Sequence, residues 1–259
     1  MPLIVAPLTT SDTTSWTRIR TLAYAGPTHN IVHSRPVSEE TIRRVSLDRQ
    51  AEIGKPNAWH FKVVDTELSP AEDDPPENGG QTIAFAVWSA HNIDLTPDGY
   101  IQNKTTAHST EESTDEPTIN PAETATLPTE APSKDAEQKL PYLPPELRLE
   151  VLSALLNPLR DACTEIMGSK PYLMLNSLAT HPEHQQRGAG RLLLKWGLDV
   201  ADRAGLELYL DTSLRGRKLY EKEGFRLVKG VEFDRTPWGG EGVDWHGCMV
   251  RSPRGKVSE

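Results

Sequence analysis

The segment from Tyr172 to Phe225 constrains the fold most, because it sets an order of elements around one short turn. Residues Leu173 to Thr180 are predicted to form a buried strand, and Pro182 ends its hydrogen-bond ladder because proline has no N–H to donate. The turn Gln185 to Gly190, with the sequence QQRGAG, comes next. A long amphipathic helix follows the turn, and its apolar positions recur at helical spacing: Leu193, Trp196, Val200, Ala201 and Ala204.

The small residues in this turn predict a site for an anion. They let backbone N–H groups converge, and the following helix adds the partial positive charge of its N-terminus. Arg187 and Arg191 are candidate flanking cations. The turn is not a Walker A loop, because no Gly-Lys-Ser/Thr follows, and it is not GxGxxG, because only Gly188 and Gly190 are glycine. A tight turn that only allows close packing is the alternative interpretation.

Residues 92–139 differ sharply in composition from the rest of the chain. They are rich in Thr, Glu, Pro and Ala and hold ten acidic against three basic residues, so most of the net charge of -9 falls here. Such a stretch buries too little apolar area to offset the entropy of ordering it. We predict a disordered acidic insertion at the surface of one domain that spans residues 1–259. The alternative is that this acidic segment attracts a basic substrate electrostatically.

The remaining sequence predicts mixed α/β structure in one compact domain. Near the start, the apolar run LIVAPL suits a strand, Ser11 and Asp12 suit the cap of a first helix, and Ser38 suits the start of a second. Two β-rich runs, 58–65 and 81–90, are joined by a Pro- and Gly-containing loop and predict an antiparallel hairpin. A further helix is predicted to have Pro145 in its first turn.

The bulk properties argue against several classes of protein. An acidic chain lacks the clustered basic surface that nucleic-acid binding needs. Two cysteines, Cys163 and Cys248, form neither a disulfide framework nor a zinc site. No apolar run is long enough to span a membrane, and the first residues lack the layout of a signal peptide. We therefore expect a soluble protein of the cytoplasm or nucleus, with no nucleic-acid or membrane partner.

The turn and its neighbours resemble the GNAT superfamily of N-acetyltransferases. The family's cofactor signature, Gln/Arg-x-x-Gly-x-Gly/Ala, is filled by Gln185, Gly188 and Gly190. The next strand, LELYLDTS, and the closing helix LRGRKLYEKEGF match the family's order. The resemblance covers Tyr172 to Phe225 well, and the first 90 residues only as compatible secondary structure. It implies a mostly antiparallel twisted sheet with one splayed parallel strand pair, flanked by helices.

In that family acetyl-CoA is the co-substrate, so the resemblance implies where it binds. Backbone groups at the end of the first strand would pair with the pantetheine arm, and the amides of the turn would hold the pyrophosphate. No metal is implied. The implied binding residues are Leu178, Ala179, Thr180, Gln185, Gln186, Arg187, Gly188, Ala189, Gly190, Arg191, Ser213 and Tyr220. Ser213 also suits the cap of the helix that begins at Leu214.

The candidate catalytic residues are Tyr220, Asp211 and His181. The resemblance implies that Tyr220 protonates the leaving thiolate, and packing is its alternative role. Many relatives carry a glutamate base on the first strand, where this chain has Asn176 and Ser177. The candidate bases are therefore His181 at the strand end and Asp211 acting through water. A turn histidine and a loop carboxylate or helix cap are their alternative roles.

These residues predict an acyl-CoA-dependent N-acyltransferase that transfers acetyl to a primary amine by direct attack in a ternary complex. The sequence does not indicate which amine-bearing molecule is the acceptor, or whether it is a small molecule or a protein. One alternative is a catalytically silent protein of the same fold that binds acyl-CoA as a sensor or scaffold. Another is a nucleotide-binding α/β domain with a parallel sheet. Trp238 and Trp245 either line the acceptor site or cover the sheet.

Overall fold

A seven-stranded sheet organises the chain in the computed structural model, which describes residues 2–102 and 142–255. The strand order is β1-β2-β3-β4-β5-β7-β6, and only the β4–β5 pair is parallel. This confirms the mostly antiparallel sheet with one parallel pair and contradicts a nucleotide-binding domain built on a parallel sheet. The strands are β1 (Leu3–Pro7), β2 (Ala58–Asp65), β3 (Gln81–His91), β4 (Tyr172–Thr180), β5 (Glu207–Ser213), β6 (Arg226–Asp234) and β7 (Val243–Arg251).

Helices cover both faces of the sheet. They are α1 (Thr13–Ala23), α2 (His29–Val32), α3 (Glu39–Gln50), α4 (Leu149–Met167), α5 (Ala189–Ala204) and α6 (Leu214–Lys222). On one face, the α5 face, Leu193 and Val200 pack on Leu208. On the other, the α4 face, Leu159 packs on Tyr209 because neighbouring strand residues point to opposite sides. Across the described ranges, no helix combines the length and apolarity that crossing a bilayer requires.

The helix starts agree with the sequence in one case and differ in two. Ser38 caps α3 as predicted, since its side chain accepts a hydrogen bond from the Thr41 N–H. Asp12 precedes α1 but makes no cap bond to that helix, because one oxygen of its buried carboxylate binds the Lys62 ammonium at 2.5 Å and the other accepts from the Thr9 N–H at 2.7 Å. The predicted start near Pro145 is wrong. Helix α4 begins at Leu149, after a turn that closes with the Leu147 N–H on the Pro144 carbonyl.

The parallel pair separates part of the way along its length. Hydrogen-bonded pairing of β4 with β5 runs only from Tyr172 to Leu175 on β4 and ends at the pair Leu175–Leu210. Beyond that pair, β4 stays on β3 and β5 stays on β7. The β3–β4 register shifts here and leaves Asn176 as the extra residue of a bulge, which bends its strand. A gap therefore opens between the two central strands.

The first residues of the predicted insertion are ordered. Leu95 is buried in the main core, and a Cβ on Gly99 would lie 2.6 Å from Val200 of α5. The Trp59 indole N–H donates to the Pro97 carbonyl at 2.6 Å, and the Arg203 guanidinium lies 4.2 Å from the centre of the Tyr100 ring. The predicted boundary at Asn92 is therefore corrected to a position after Gln102. Residues 103–139 of the insertion lie outside the described residues.

We expect the insertion to be dispensable only beyond this boundary. Replacing residues 104–140 by a Gly/Ser linker of about a dozen residues should change the melting temperature by less than about 2 °C. A replacement that starts at Asp94 removes the buried Leu95 and should lower it by about 5 °C or more. Thermal unfolding followed by circular dichroism measures both. Equal losses from the two deletions would contradict the corrected boundary.

Candidate active site

The turn before α5 presents backbone N–H groups without protein partners. Gln186 and Gly188 have left-handed φ values of 64° and 90°. Within the two described ranges, no hydrogen bond takes the N–H of residues 186–190. These groups lie at the N-terminus of a 16-residue helix, whose dipole adds positive charge. The turn is therefore suited to hold a pyrophosphate through its backbone.

The two predicted cations of the turn have different environments. The Arg187 guanidinium donates to the carboxylate of Asp65 on β2 at 2.5 Å, and the Asp65 side chain is 1% exposed. Burial raises the pKa of Asp65, but the hydrogen bonds from Arg187 and the Glu67 N–H and the positive charge of Arg187 together outweigh it, and the pKa lies below its ordinary value. Arg191 pairs with Glu223 at 2.9 Å and keeps 76% of its side chain exposed. Arg187 thus anchors the turn to the sheet, and Arg191, which is exposed beside its pair with Glu223, is the better placed of the two to reach phosphate.

The free edge of β4 borders the gap. Leu178, Ala179 and Thr180 pair with β3 on one side only. Their other edge faces the gap, where an extended ligand arm would find backbone donors and acceptors. Gly190 keeps the turn close to this strand, since a Cβ there would lie 3.2 Å from Leu219 and 3.5 Å from Leu178.

Tyr220 lies on the α5 face beside the gap. Its side chain is buried, its ring meets Phe225 at a centroid distance of 5.9 Å, and a Cβ on Gly216 would approach both the Tyr220 ring and Thr212 of β5. Burial raises the pKa of Tyr220, and so does the nearby Tyr24. The phenol therefore keeps its proton at neutral pH, as a proton donor must. Ser213 occupies the N-cap position of α6, but its side chain makes no cap bond.

Asp211 lies on the α4 face, at the first position of β5 beyond the last pair with β4. The Tyr209 hydroxyl donates to its carboxylate at 2.8 Å. Burial raises the pKa of Asp211, although the hydrogen bond from Tyr209 acts in the opposite direction. Asp211 and Tyr220 therefore lie on opposite faces of the sheet, with the gap between them.

His181 lies apart from the point where the strands separate. It is six residues beyond Leu175 on an extended segment, a distance of about 20 Å. Its ring accepts a hydrogen bond from the Glu183 N–H at 3.3 Å. The side chains of His181, Glu183 and His184 offer ligand atoms within 4.8 Å of one another and could hold a metal ion. The absence of a metal stays a prediction, and the geometry favours Asp211 over His181 as the base.

Two further residues that the sequence did not indicate lie near the candidate site, one beside β4 and the other beside β5. The Tyr24 hydroxyl, at the end of α1, lies 3.2 Å from the Ser177 hydroxyl on β4. His246 of β7 stands opposite Ser213, and its buried Nε2 atom has no hydrogen-bond partner among the described residues. Burial lowers the pKa of His246, although the nearby carboxylates of Asp244 and Asp211 raise it. No local motif marks either residue, because both arrive from distant elements.

The tryptophans of the C-terminal segment cover the fold. Trp245 packs on the α5 face, where Cβ atoms on Gly230 and Gly247 would lie 2.8 and 2.5 Å from its ring, beneath the Arg217 guanidinium. Trp238 packs against the cluster that contains Val151 and Phe233. These contacts are those expected if the two rings cover the fold, and a role in lining the acceptor site stays a prediction.

Comparison with known proteins supports the family indicated by the turn. Residues 157–227 match the family model described as an acetyltransferase (GNAT) domain. This part of the chain is therefore similar to a GNAT acetyltransferase domain, as the motif at Gln185, Gly188 and Gly190 predicts.

Individual relatives match part of the sequence or the fold. A probable acyltransferase, SID5, from Ajellomyces capsulatus is 36% identical over 59 residues, which is 22% of this chain and 43% of that protein. The chain thus covers less than half of this relative. The polyamine N-acetyltransferase of Drosophila melanogaster is 11% identical, with a TM-score of 0.51 over 96% of this chain and 99% of that one. A mosquito arylalkylamine N-acetyltransferase-like protein, 5b, is 13% identical, with a TM-score of 0.50 and the same two coverages. At these identities the two structures show the shared fold.

Proposed function

We propose that this protein is an N-acetyltransferase of the cytoplasm or nucleus that moves the acetyl group of acetyl-CoA to a primary amine in a ternary complex. One observation carries the proposal. The pairing of β4 with β5 ends at Leu175–Leu210, and the gap beyond it leads to the unpartnered amides of residues 186–190. A phosphate-bearing extended molecule can then lie along β4 with its phosphates at the turn.

The two faces of the sheet would serve the two reactants. The turn at α5 approaches the gap from the α5 face, with Tyr220 beside it. The α4 face is open to the acceptor at Asp211. Because the reactants arrive from opposite sides, the amine can attack the acyl carbon directly, without an acyl-enzyme step.

The chain's own groups account for the proton transfers. Acetyl-CoA supplies an acyl carbon bound to a good leaving group, and the new C–N bond forms as the C–S bond breaks. The Asp211 carboxylate takes a proton from the amine, directly or through water, and the Tyr220 hydroxyl gives one to the departing sulfur. An N–H of β4 at Leu178 or Ala179 stabilises the negative charge on the carbonyl oxygen. Exchange with water then restores both side chains.

A catalytically silent acyl-CoA-binding protein of the same fold is the second candidate. The observation that favours it is Asn176, which stands where many relatives carry a glutamate. The Asn176 amide donates to the Ser89 hydroxyl at 2.8 Å and cannot act as a base. Acetylation of an amine would distinguish the enzyme from the silent acyl-CoA-binding protein.

The proposed function is tested by calorimetry and product analysis. We expect acetyl-CoA to bind with one site per chain, and we expect primary amines to be acetylated. The acetylated product should be measured by mass spectrometry, because the half-buried Cys163 would interfere with reagents for free coenzyme A thiol. Absence of binding would refute the acyltransferase, and binding without turnover of any amine would favour the silent protein.

A further inference from the structure

A cleft on the α4 face begins where β4 and β5 separate. Its volume is about 350 Å³, and it runs between the sheet and α4. Asn176 and Asp211 form its inner end, at the gap, and Met174 and Tyr172 continue its floor. Helix α4 forms its outer wall. A molecule in this cleft would have one end at the proposed reaction centre.

The inner end is suited to an amine. The Asp211 carboxylate is half-buried and accepts a hydrogen bond from the Tyr209 hydroxyl at 2.8 Å. A carboxylate has lone pairs for more than one donor, so it can also accept from an amine or an ammonium group. An aliphatic acyl chain in the same place would remove water from this carboxylate without replacing its hydrogen bonds, which is unfavourable.

The middle of the cleft is apolar and its outer end is cationic. Leu156 and Leu159 of α4 face Met174 across the cleft, which suits methylene groups. Arg160 and Thr164 are one helical turn apart on α4, and both are exposed. The Arg160 guanidinium bonds only the Asn157 side-chain oxygen, at 3.2 Å, among the described residues. Its remaining N–H donors are therefore available to an anionic group.

We propose that the acceptor is a small amphoteric molecule, with a primary amine and a carboxylate joined by an aliphatic chain. The amine binds at Asp211, the methylenes lie between α4 and β4, and the carboxylate binds Arg160. The inference rests on the proposed function and deepens it. The cleft volume lies at the low end of the range for small-molecule sites, which fits such an acceptor. A guanidinium pairs strongly with a carboxylate and repels a second ammonium group, so Arg160 would select between acceptors.

The proposed acceptor class is tested with three amines: δ-aminovalerate, pentylamine and cadaverine. All three carry a primary amine on a five-carbon chain. They end in a carboxylate, a methyl group and a second amine. We expect the wild-type protein to acetylate δ-aminovalerate with a kcat/KM about tenfold above either of the others. Homologous ω-amino acids and diamines with shorter and longer chains would locate the best length. Arg160→Glu should reverse the order and favour cadaverine by a similar factor.

The matched control is Arg43→Glu, the same change at an exposed arginine on α3 that pairs with Glu40. It should leave the order of the three probes as in the wild type. A wild-type preference for pentylamine or cadaverine at every chain length would overturn the inference. So would an Arg160→Glu variant that binds acetyl-CoA, turns over and keeps the wild-type order, and in both cases the N-acetyltransferase would stand. Failure of the wild type to bind acetyl-CoA or acetylate any amine would refute the proposed function itself.

Discussion

Asp211→Asn should lower kcat roughly 100-fold or more, while acetyl-CoA binds as tightly as to the wild type. Asparagine keeps the shape of the side chain and can still accept the hydrogen bond from Tyr209, but it cannot take a proton from the amine. Single-turnover and steady-state measurements with one amine, together with calorimetry of acetyl-CoA, test this. A variant with wild-type kcat would exclude Asp211 as the base.

The same substitution should not lower stability at neutral pH. Burial raises the pKa of Asp211 in the folded protein above its unfolded value. The corresponding stabilisation is present below the unfolded pKa and is lost as the pH rises through the folded pKa. At pH 7 the carboxylate is therefore a cost to folding, which asparagine removes. As the pH is lowered, the wild type should lose activity when Asp211 becomes protonated. Because its pKa is raised, this loss should occur at a higher pH than for an enzyme whose base is an ordinary aspartate.

Asp202→Asn is the matched control, an equal change at a carboxylate with a structural role. Both oxygens of Asp202 accept hydrogen bonds from Arg251, at 2.7 and 2.8 Å, and the Arg251 side chain is 3% exposed. Burial raises the pKa of Asp202, but the bonds from Arg251, the bond from the Arg254 N–H and the charges of the two guanidinium groups together outweigh it, and the pKa is lowered. Its stabilisation is thus present above the unfolded pKa and is lost as the pH falls through the folded pKa. The variant should lose about 1–3 kcal/mol of stability at pH 7 and keep its turnover at low temperature.

Gly188→Glu should weaken acetyl-CoA binding by roughly 100-fold or more. Gly188 has φ 90°, and a Cβ there would meet no atom within 4 Å, so the added side chain can enter the space before the turn. A carboxylate there would oppose the pyrophosphate by about 2–3 kcal/mol, which corresponds to this factor. Calorimetry of acetyl-CoA into the variant measures the loss. Unchanged affinity would place the phosphates elsewhere.

Gly205→Glu separates repulsion of the phosphates from strain in the backbone. Gly205 ends α5 with φ 71°, and a Cβ there would also meet no atom within 4 Å. The two variants therefore share the cost of a side chain at positive φ, which is about 1 kcal/mol. Only Gly188→Glu should lose the ligand. Equal loss of binding in both would mean that strain in α5, and not charge at the turn, is responsible.

The elements around the turn could be predicted because their signals are local. Pro182 stops β4 after Thr180, and the apolar spacing of α5 gives its buried face, with Leu193, Val200 and Ala201 in the core. The start of α4 was predicted wrongly, because the residues near Pro145 form a turn before the helix. Composition misplaced the start of the insertion for a similar reason. The segment from 92 to 102 has few apolar residues, and only the contacts of Leu95 and Ile93 with the core show that it is ordered.

The sequence by itself determined the order of the elements around the glycine turn, because capping, proline and helical periodicity act over a few residues. Tertiary structure decided which side chains meet at the gap. Asp211 lies at the separation of β4 and β5 because pairing stops at Leu210, and Tyr24 reaches Ser177 from an element more than 150 positions earlier in the chain. Arg187 binds Asp65 of β2 because the sheet brings that strand beside the turn. Such contacts depend on strand register and helix packing, which local sequence signals do not specify.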